Sequence, residues 1–201
     1  MSMSLVQIAK GNAFILLPLV MLAALVLGTG MMTVGVYIIV SVLLIPAMIS
    51  IGMHTLASHL FAFYFGIICN VTPPVATAAY AAAGVAETSP WATGMTAFKL
   101  VIPILAVPYV FIFQPALLLD GTLPAILLTV VTTFAGVFCL DVVLTGYWFR
   151  KCTLIERLLL TVAGIALLVP NAAVSLVGAV LLAVGFAMQK SLKVERTISH
   201  S

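Results

Sequence analysis

The sequence predicts an all-α integral membrane protein. Three observations carry that reading. Of 201 residues, 64% are hydrophobic and only 6% are charged, where soluble domains carry about a quarter charged residues. The apolar residues fall into long runs separated by short polar or glycine-rich stretches, which suits a bilayer as solvent. The net charge of +3 comes from Lys and Arg at segment ends. That pattern fits membrane topology and speaks against nucleic-acid binding.

Residues 1–12 form an N-terminal lead-in. They hold one Lys before an apolar run and lack a small-residue cleavage site, so the first run is expected to stay in the membrane. Residues 13–51 contain two apolar segments, Ala13 to Leu27 and Val36 to Ile51, joined by GTGMMTVG at 28–35. A spanning helix needs roughly 20 residues. Two shorter segments joined by glycines favour a re-entrant hairpin, whose tip exposes backbone at membrane depth. Two short kinked spans are the alternative.

Residues 52–119 hold a segment from His59 to Gly84, the loop VAETSPWATG, and a segment from Phe98 to Leu119. The first of these is interrupted at Asn70 to Pro74. A proline removes a backbone donor and clashes with the carbonyl four residues earlier. It also pushes the preceding residue out of the helical region. Thr72-Pro73-Pro74 therefore breaks the helix, and carbonyls of Ile68 to Val71 lose their intrahelical partners. In hydrocarbon an unmet carbonyl costs several kcal/mol. A sodium ion can replace the lost bonds, using free carbonyls with the Asn70 and Thr72 side chains. A kink satisfied by neighbouring helices is the plainer reading. The glycine-threonine patch at 28–35, with Thr29 and Thr33, reads as the other half of such a site or as a small-residue packing surface.

Residues 120–201 supply the C-terminal membrane helices, Leu123 to Phe149, Leu158 to Val169 and Ala172 to Met188, and a basic tail with Lys190, Lys193 and Arg196. With Arg150, Lys151 and Arg157 also cytoplasmic, Asp120 is expected outside, Lys99 inside, and His54 and His59 near the outer face. Lys10 is the one basic residue on the wrong side. Asp141 lies inside the fifth segment and is a functional candidate by position, or a partner for Arg150. Tyr64, Trp91 and Trp148 fit an aromatic belt. Cys69, Cys139 and Cys152 match no zinc spacing and read as small buried thiols. No nucleotide loop or nucleophile–base pair is present, so the sequence is not read as an enzyme.

The stretch HLFAFYFGIICNVTPPVATAAYAAAGVAETSPWATGMTAFKLVIPILAVPYVFIFQPALLL resembles the C-terminal half of the large membrane subunit of TRAP transporters, and more narrowly the fused permeases that work with TAXI-type binding proteins. The resemblance covers about residues 13 to 188. It implies one half of an elevator-type inverted-repeat transporter, with a re-entrant hairpin followed by a discontinuous helix. It further implies sodium-coupled uptake of organic acids, typically carboxylates, delivered by a periplasmic TAXI-type binding protein, in a multi-pass bacterial inner-membrane protein. Carried across, Gly28, Thr29, Gly30, Thr33, Asn70, Thr72 and Pro73 line one sodium site and part of the substrate cavity. Sodium is then a coupling ion and no other cofactor is expected.

The tip departs from the family's usual GMGLPTTAAY by lacking a proline and a threonine. The chain is also several times shorter than a fused permease, so it reads as a fragment or split-gene half. Its partners would be the missing first repeat or a small membrane subunit, besides the lipid bilayer. A non-transporting structural fragment that packs with an intact permease is the alternative.

Overall fold

A computed structural model describes the backbone of residues 2–31 and 33–198 and the side chains of 4–31 and 33–190. Met32, in the hairpin patch, and the side chains of Lys193 and Arg196, in the basic tail, lie outside the described residues. The chain is helical, with no strand among the described residues. Four helical stretches there are long and apolar enough to cross a membrane: Thr33–Ser50, Pro90–Phe113, Leu123–Thr145 and Ala172–Lys190. This is a multi-pass membrane protein.

Helix α1 (Ser2–Ala9) leads into α2 (Ala13–Leu27), whose N-terminus is capped by the Asn12 side chain accepting from the Phe14 N–H. A turn at 28–31 precedes α3 (Thr33–Leu43), which passes through Leu44 into α4 (Ile45–Ser50). The second apolar segment thus starts at Thr33, earlier than Val36, and with α4 reaches 18 residues. Helix α5 (Thr55–Ile68) ends in a single 3-10 turn, Cys69–Val71, and the chain resumes as α6 (Thr77–Val85).

The loop expected over 85–94 is shorter than the sequence suggests. Helix α7 (Pro90–Val101) begins inside it, with Ser89 at the N-cap and Pro90 in the first turn, where a proline loses no hydrogen bond. A 3-10 stretch at Pro103 leads into α8 (Val107–Phe113). The last three helices are α9 (Leu123–Thr145), α10 (Leu154–Leu168) and α11 (Ala172–Ile198).

Two cores result. The first joins α1 to α5 with α8, around Leu16, Leu17, Met48, Phe61 and Phe65. Phe61 and Phe65 meet the Tyr109 ring edge-on at 5.3 and 6.2 Å. The second joins α9, α10 and α11 around Cys139, Leu160 and Leu167. There the backbones approach through glycines. A Cβ on Gly136 would lie 3.1 Å from the Gly164 carbonyl, and one on Gly164 equally close to the Gly136 carbonyl. Small residues at a membrane helix crossing permit this contact. The α10–α11 turn reaches the level of Thr129 and Thr132. A cavity of about 500 Å³ opens there, with Gln114, Asp120, Asn171 and Ser175 among its lining residues.

Candidate functional site

The break in the third segment is built by covalent logic. Asn70 would need an N–H at residue 73 or 74 for its carbonyl, and both are prolines. The peptide between Pro73 and Pro74 is cis. Thr72 is extended, Ala76 takes a left-handed conformation at φ 35°, and α6 starts at the next residue. The chain is thus turned out of one helix and into another within eight residues.

Side chains meet much of the freed backbone. Asn70 Nδ2 donates to the Ile67 carbonyl at 3.0 Å, and Thr72 Oγ1 donates to the Ile68 carbonyl at 2.9 Å. The Thr72 N–H reaches the Cys69 carbonyl at 3.2 Å, and the Ala76 N–H the Thr72 carbonyl at 3.1 Å. Thr77 Oγ1 donates to Asn70 Oδ1 at 3.0 Å, a bridge across the break, and Tyr80 donates to the Pro74 carbonyl at 2.9 Å. Asn70, Thr72 and Pro73 are all half-buried. Pro73 lies against α7 at Gly94, where a Cβ would stand 3.6 Å from the proline ring.

The hairpin turn meets this break. Cys69 is buried, and its thiol proton is shared between the Gly28 carbonyl at 2.9 Å and the Gly66 carbonyl at 2.8 Å. Gly28 admits no side chain: a Cβ would lie 2.8 Å from Cys69 Sγ and 3.1 Å from the Gly66 carbonyl. Thr29 is exposed and donates to the Val26 carbonyl at 2.6 Å. Gly30 is at φ +78° with open space around it, a conformation that favours glycine. Thr33 is half-buried at the first position of α3.

The structure therefore brings Gly28 to the break directly, and places Thr29 and Gly30 in the same turn. Among the expected residues, Asn70 and Thr72 face their own helix end, and Pro73 faces α7. The threonine hydroxyls donate to carbonyls yet keep oxygen lone pairs free. The sequence reading passed over Cys69 as a packing thiol and did not weigh Thr77 or Tyr80. Thr77 carried a signal: it is the first polar residue after the prolines, at the start of an alanine-rich helix.

Elsewhere, Arg150 pairs with Glu156 rather than with Asp141. Glu156 is fully buried and also accepts from Gln189 Nε2 at 2.9 Å and from the Thr153 N–H at 2.8 Å. Among the described residues Asp141 makes no ion pair, and no three metal-ligating side chains gather. His54 Nε2 and Asp120 Oδ2 approach to 3.8 Å, so these two residues share one end of the molecule.

The family model described as tripartite ATP-independent periplasmic transporter, DctM component, matches residues 1–126. The chain belongs to this family. The matched residues hold the hairpin, the break and α7 to α8, so the site described above lies wholly within the DctM-component match. Most of α9, and all of α10 and α11, lie beyond it. No curated protein and no solved structure matches the chain. As a member of a transporter family, the chain is a component of a TRAP-type transporter.

Proposed function

We propose that the chain serves sodium-coupled import of organic acids, with a coupling-ion site between the hairpin tip and the helix break. The observation that carries this reading is the 2.9 Å contact of Cys69 with the Gly28 carbonyl, which holds the glycine turn against the freed end of α5. Broken helices with exposed carbonyls are a recurrent way to build coupling-ion sites in secondary transporters. Candidate ligands are the carbonyls of Gly28 and Asn70, the hydroxyls of Thr29, Thr33 and Thr72, and Asn70 Oδ1. In this reading residues 13–51 form a re-entrant hairpin in the inner membrane. The hairpin and the broken helix move together as an elevator. A periplasmic binding protein, of TAXI type, delivers the carboxylate, and a first repeat or small membrane subunit completes the transport domain.

One observation favours a second reading. Asn70 and Thr72 already satisfy the Ile67 and Ile68 carbonyls, so the break can also stand as a closed structural kink in a chain that packs with an intact permease.

Thermal unfolding of the purified full chain in detergent, in sodium against potassium, separates the two. A ligand that binds only the folded form at 100 times its Kd stabilises by about 2.7 kcal/mol. The ion-site reading expects a sodium-specific rise that disappears in Asn70→Ala. Equal stability in both salts supports the closed kink.

A further inference from the structure

The basic end of the α9–α11 unit has no part in the site described above. Among the described residues four cations lie at that end, Arg150, Lys151, Arg157 and Lys190, with two carboxylates, Asp141 and Glu156. Glu156 is committed to Arg150 and Gln189 inside the unit. Asp141 is half-buried in α9, about one turn short of the helix end. Lys151, Arg157 and Lys190 are exposed and make no ion pair among the described residues. The Arg157 guanidinium lies over Gly146, where any Cβ would overlap it, at the carboxyl end of α9. Gln189 reaches Glu156 and Cys152, which brings Lys190 to the same level.

An apolar groove runs between α9 and α11, with Phe186 one turn of helix before Lys190 and Trp148 three residues before Lys151. It has a volume of about 560 Å³ and is lined by Phe134, Phe138, Trp148, Ala179, Ala183 and Phe186, among other apolar residues. Trp148 lines it, edge-on to Phe138 at 5.7 Å and 5.6 Å from Phe186. From Ala179 to Lys190 is about 16 Å of helix, roughly half of a hydrocarbon core about 30 Å thick. The groove has the depth of one leaflet, an indole of the kind that favours interfaces in its wall, and near it three cations without an ion pair among the described residues.

We propose that this groove seats an acyl chain of an anionic glycerophospholipid, whose phosphate is held by Lys151, Arg157 and Lys190. Any lipid tail fits the apolar walls. The cations select the headgroup, because each basic residue near an anionic surface contributes about 1 kcal/mol. A free inorganic anion would leave the groove unused, and a peptide would bury its backbone against walls with no hydrogen-bonding partner.

The test uses the full chain with Trp91→Phe, so that Trp148 is the sole tryptophan. The chain is placed in phosphatidylcholine nanodiscs, and tail-brominated phosphatidylglycerol or phosphatidylcholine is titrated in while Trp148 fluorescence is followed. Half-quenching is expected at on the order of 100-fold less phosphatidylglycerol than phosphatidylcholine, the ratio equivalent to three such basic contacts. Lys151→Gln with Lys190→Gln, both at exposed positions, should remove most of that preference, and adding Arg157→Gln should abolish it, with helix content by circular dichroism unchanged. Ala179→Leu with Ala183→Leu fills the groove and should weaken quenching by both lipids. Equal quenching by the two lipids overturns the proposal. So does a preference that survives loss of the three cations, or quenching untouched by filling the groove.

Discussion

Between residues 66 and 77 the backbone is irregular, and short side chains from the same stretch satisfy it: Asn70, Thr72 and Cys69 each donate to carbonyls three or four residues back. In α9, α10 and α11 the backbone is regular, and the polar groups put at stake are charged side chains. Arg150 pairs with Glu156 and Gln189 Nε2 donates to Glu156 inside the unit, while Arg150 Nε and Gln189 Oε1 are buried without a hydrogen-bond partner among the described residues. Both regions face the same low dielectric, which makes an unmet polar group expensive. The difference lies in what remains adjustable. Local hydroxyl and amide bonds can be exchanged for an incoming ion one at a time. A largely buried ion pair has no such alternative, and with Gln189 it ties the loop after α9 to α10 and α11.

The contrast is broken most directly at Glu156. Glu156→Ala leaves the Arg150 guanidinium inside the unit without its partner, a loss of about 3–5 kcal/mol. Urea or thermal unfolding in detergent should show a correspondingly large fall, and a fall no larger than that of Asn70→Ala removes the distinction between the regions. Gly28→Ala comes next. Its methyl meets Cys69 Sγ and the Gly66 carbonyl, and forced overpacking costs about 1–3 kcal/mol. Cys69→Ala should recover part of that loss in the double variant, since it removes the sulfur, and additive losses would show that the turn and the break are not coupled through this pair. Asn70→Ala gives up the bonds to Ile67 and Thr77, about 1–2 kcal/mol in total, and Thr77→Val should lose about half as much. Equal losses from the two variants would place all the value in the cross-break bridge.

The smallest effect is chemical. Burial, and then the Glu156 carboxylate, push the Cys152 thiol up from its ordinary range. Less thiolate is then present at pH 8 than in a free thiol, and maleimide labelling of Cys152 in the loop after α9 should be slower than that of a free cysteine and should accelerate as the pH rises past 9. A rate equal to the free thiol's would mean that the loop is open to water.

Much of this architecture was legible in the sequence. The bounds of α2 coincide with the run Ala13 to Leu27, although Pro18 lies inside it, and the interruption between Ile68 and Thr77 takes in Asn70 to Pro74, because two consecutive prolines remove both N–H groups that the Asn70 carbonyl could use. The start of α7 was missed, since the polar run before Trp91 reads as loop by composition while Ser89-Pro90 reads as a helix start by capping. Pairing with Arg150 was one of the roles the sequence left open for Asp141, and Glu156 was not weighed. The decisive signal was the capping box Thr153 to Glu156, which turns the carboxylate of Glu156 back toward the loop that carries Arg150. Gly28 meets Cys69 across a sequence separation of 41, and no local pattern encodes that.

Helix α10 has 15 residues, about 22 Å of rise, beside two helices of 23 and 27 residues. Leu158, Val162 and Ile165 on it are more than half exposed, and the cavity at its far end, with Asn171 and Ser175 in its walls, reaches Thr129 and Thr132. Wherever lipid meets that face, about 22 Å of helix stands against a hydrocarbon core of about 30 Å, and the bilayer thins beside it at a cost of fractions of a kcal/mol per Å.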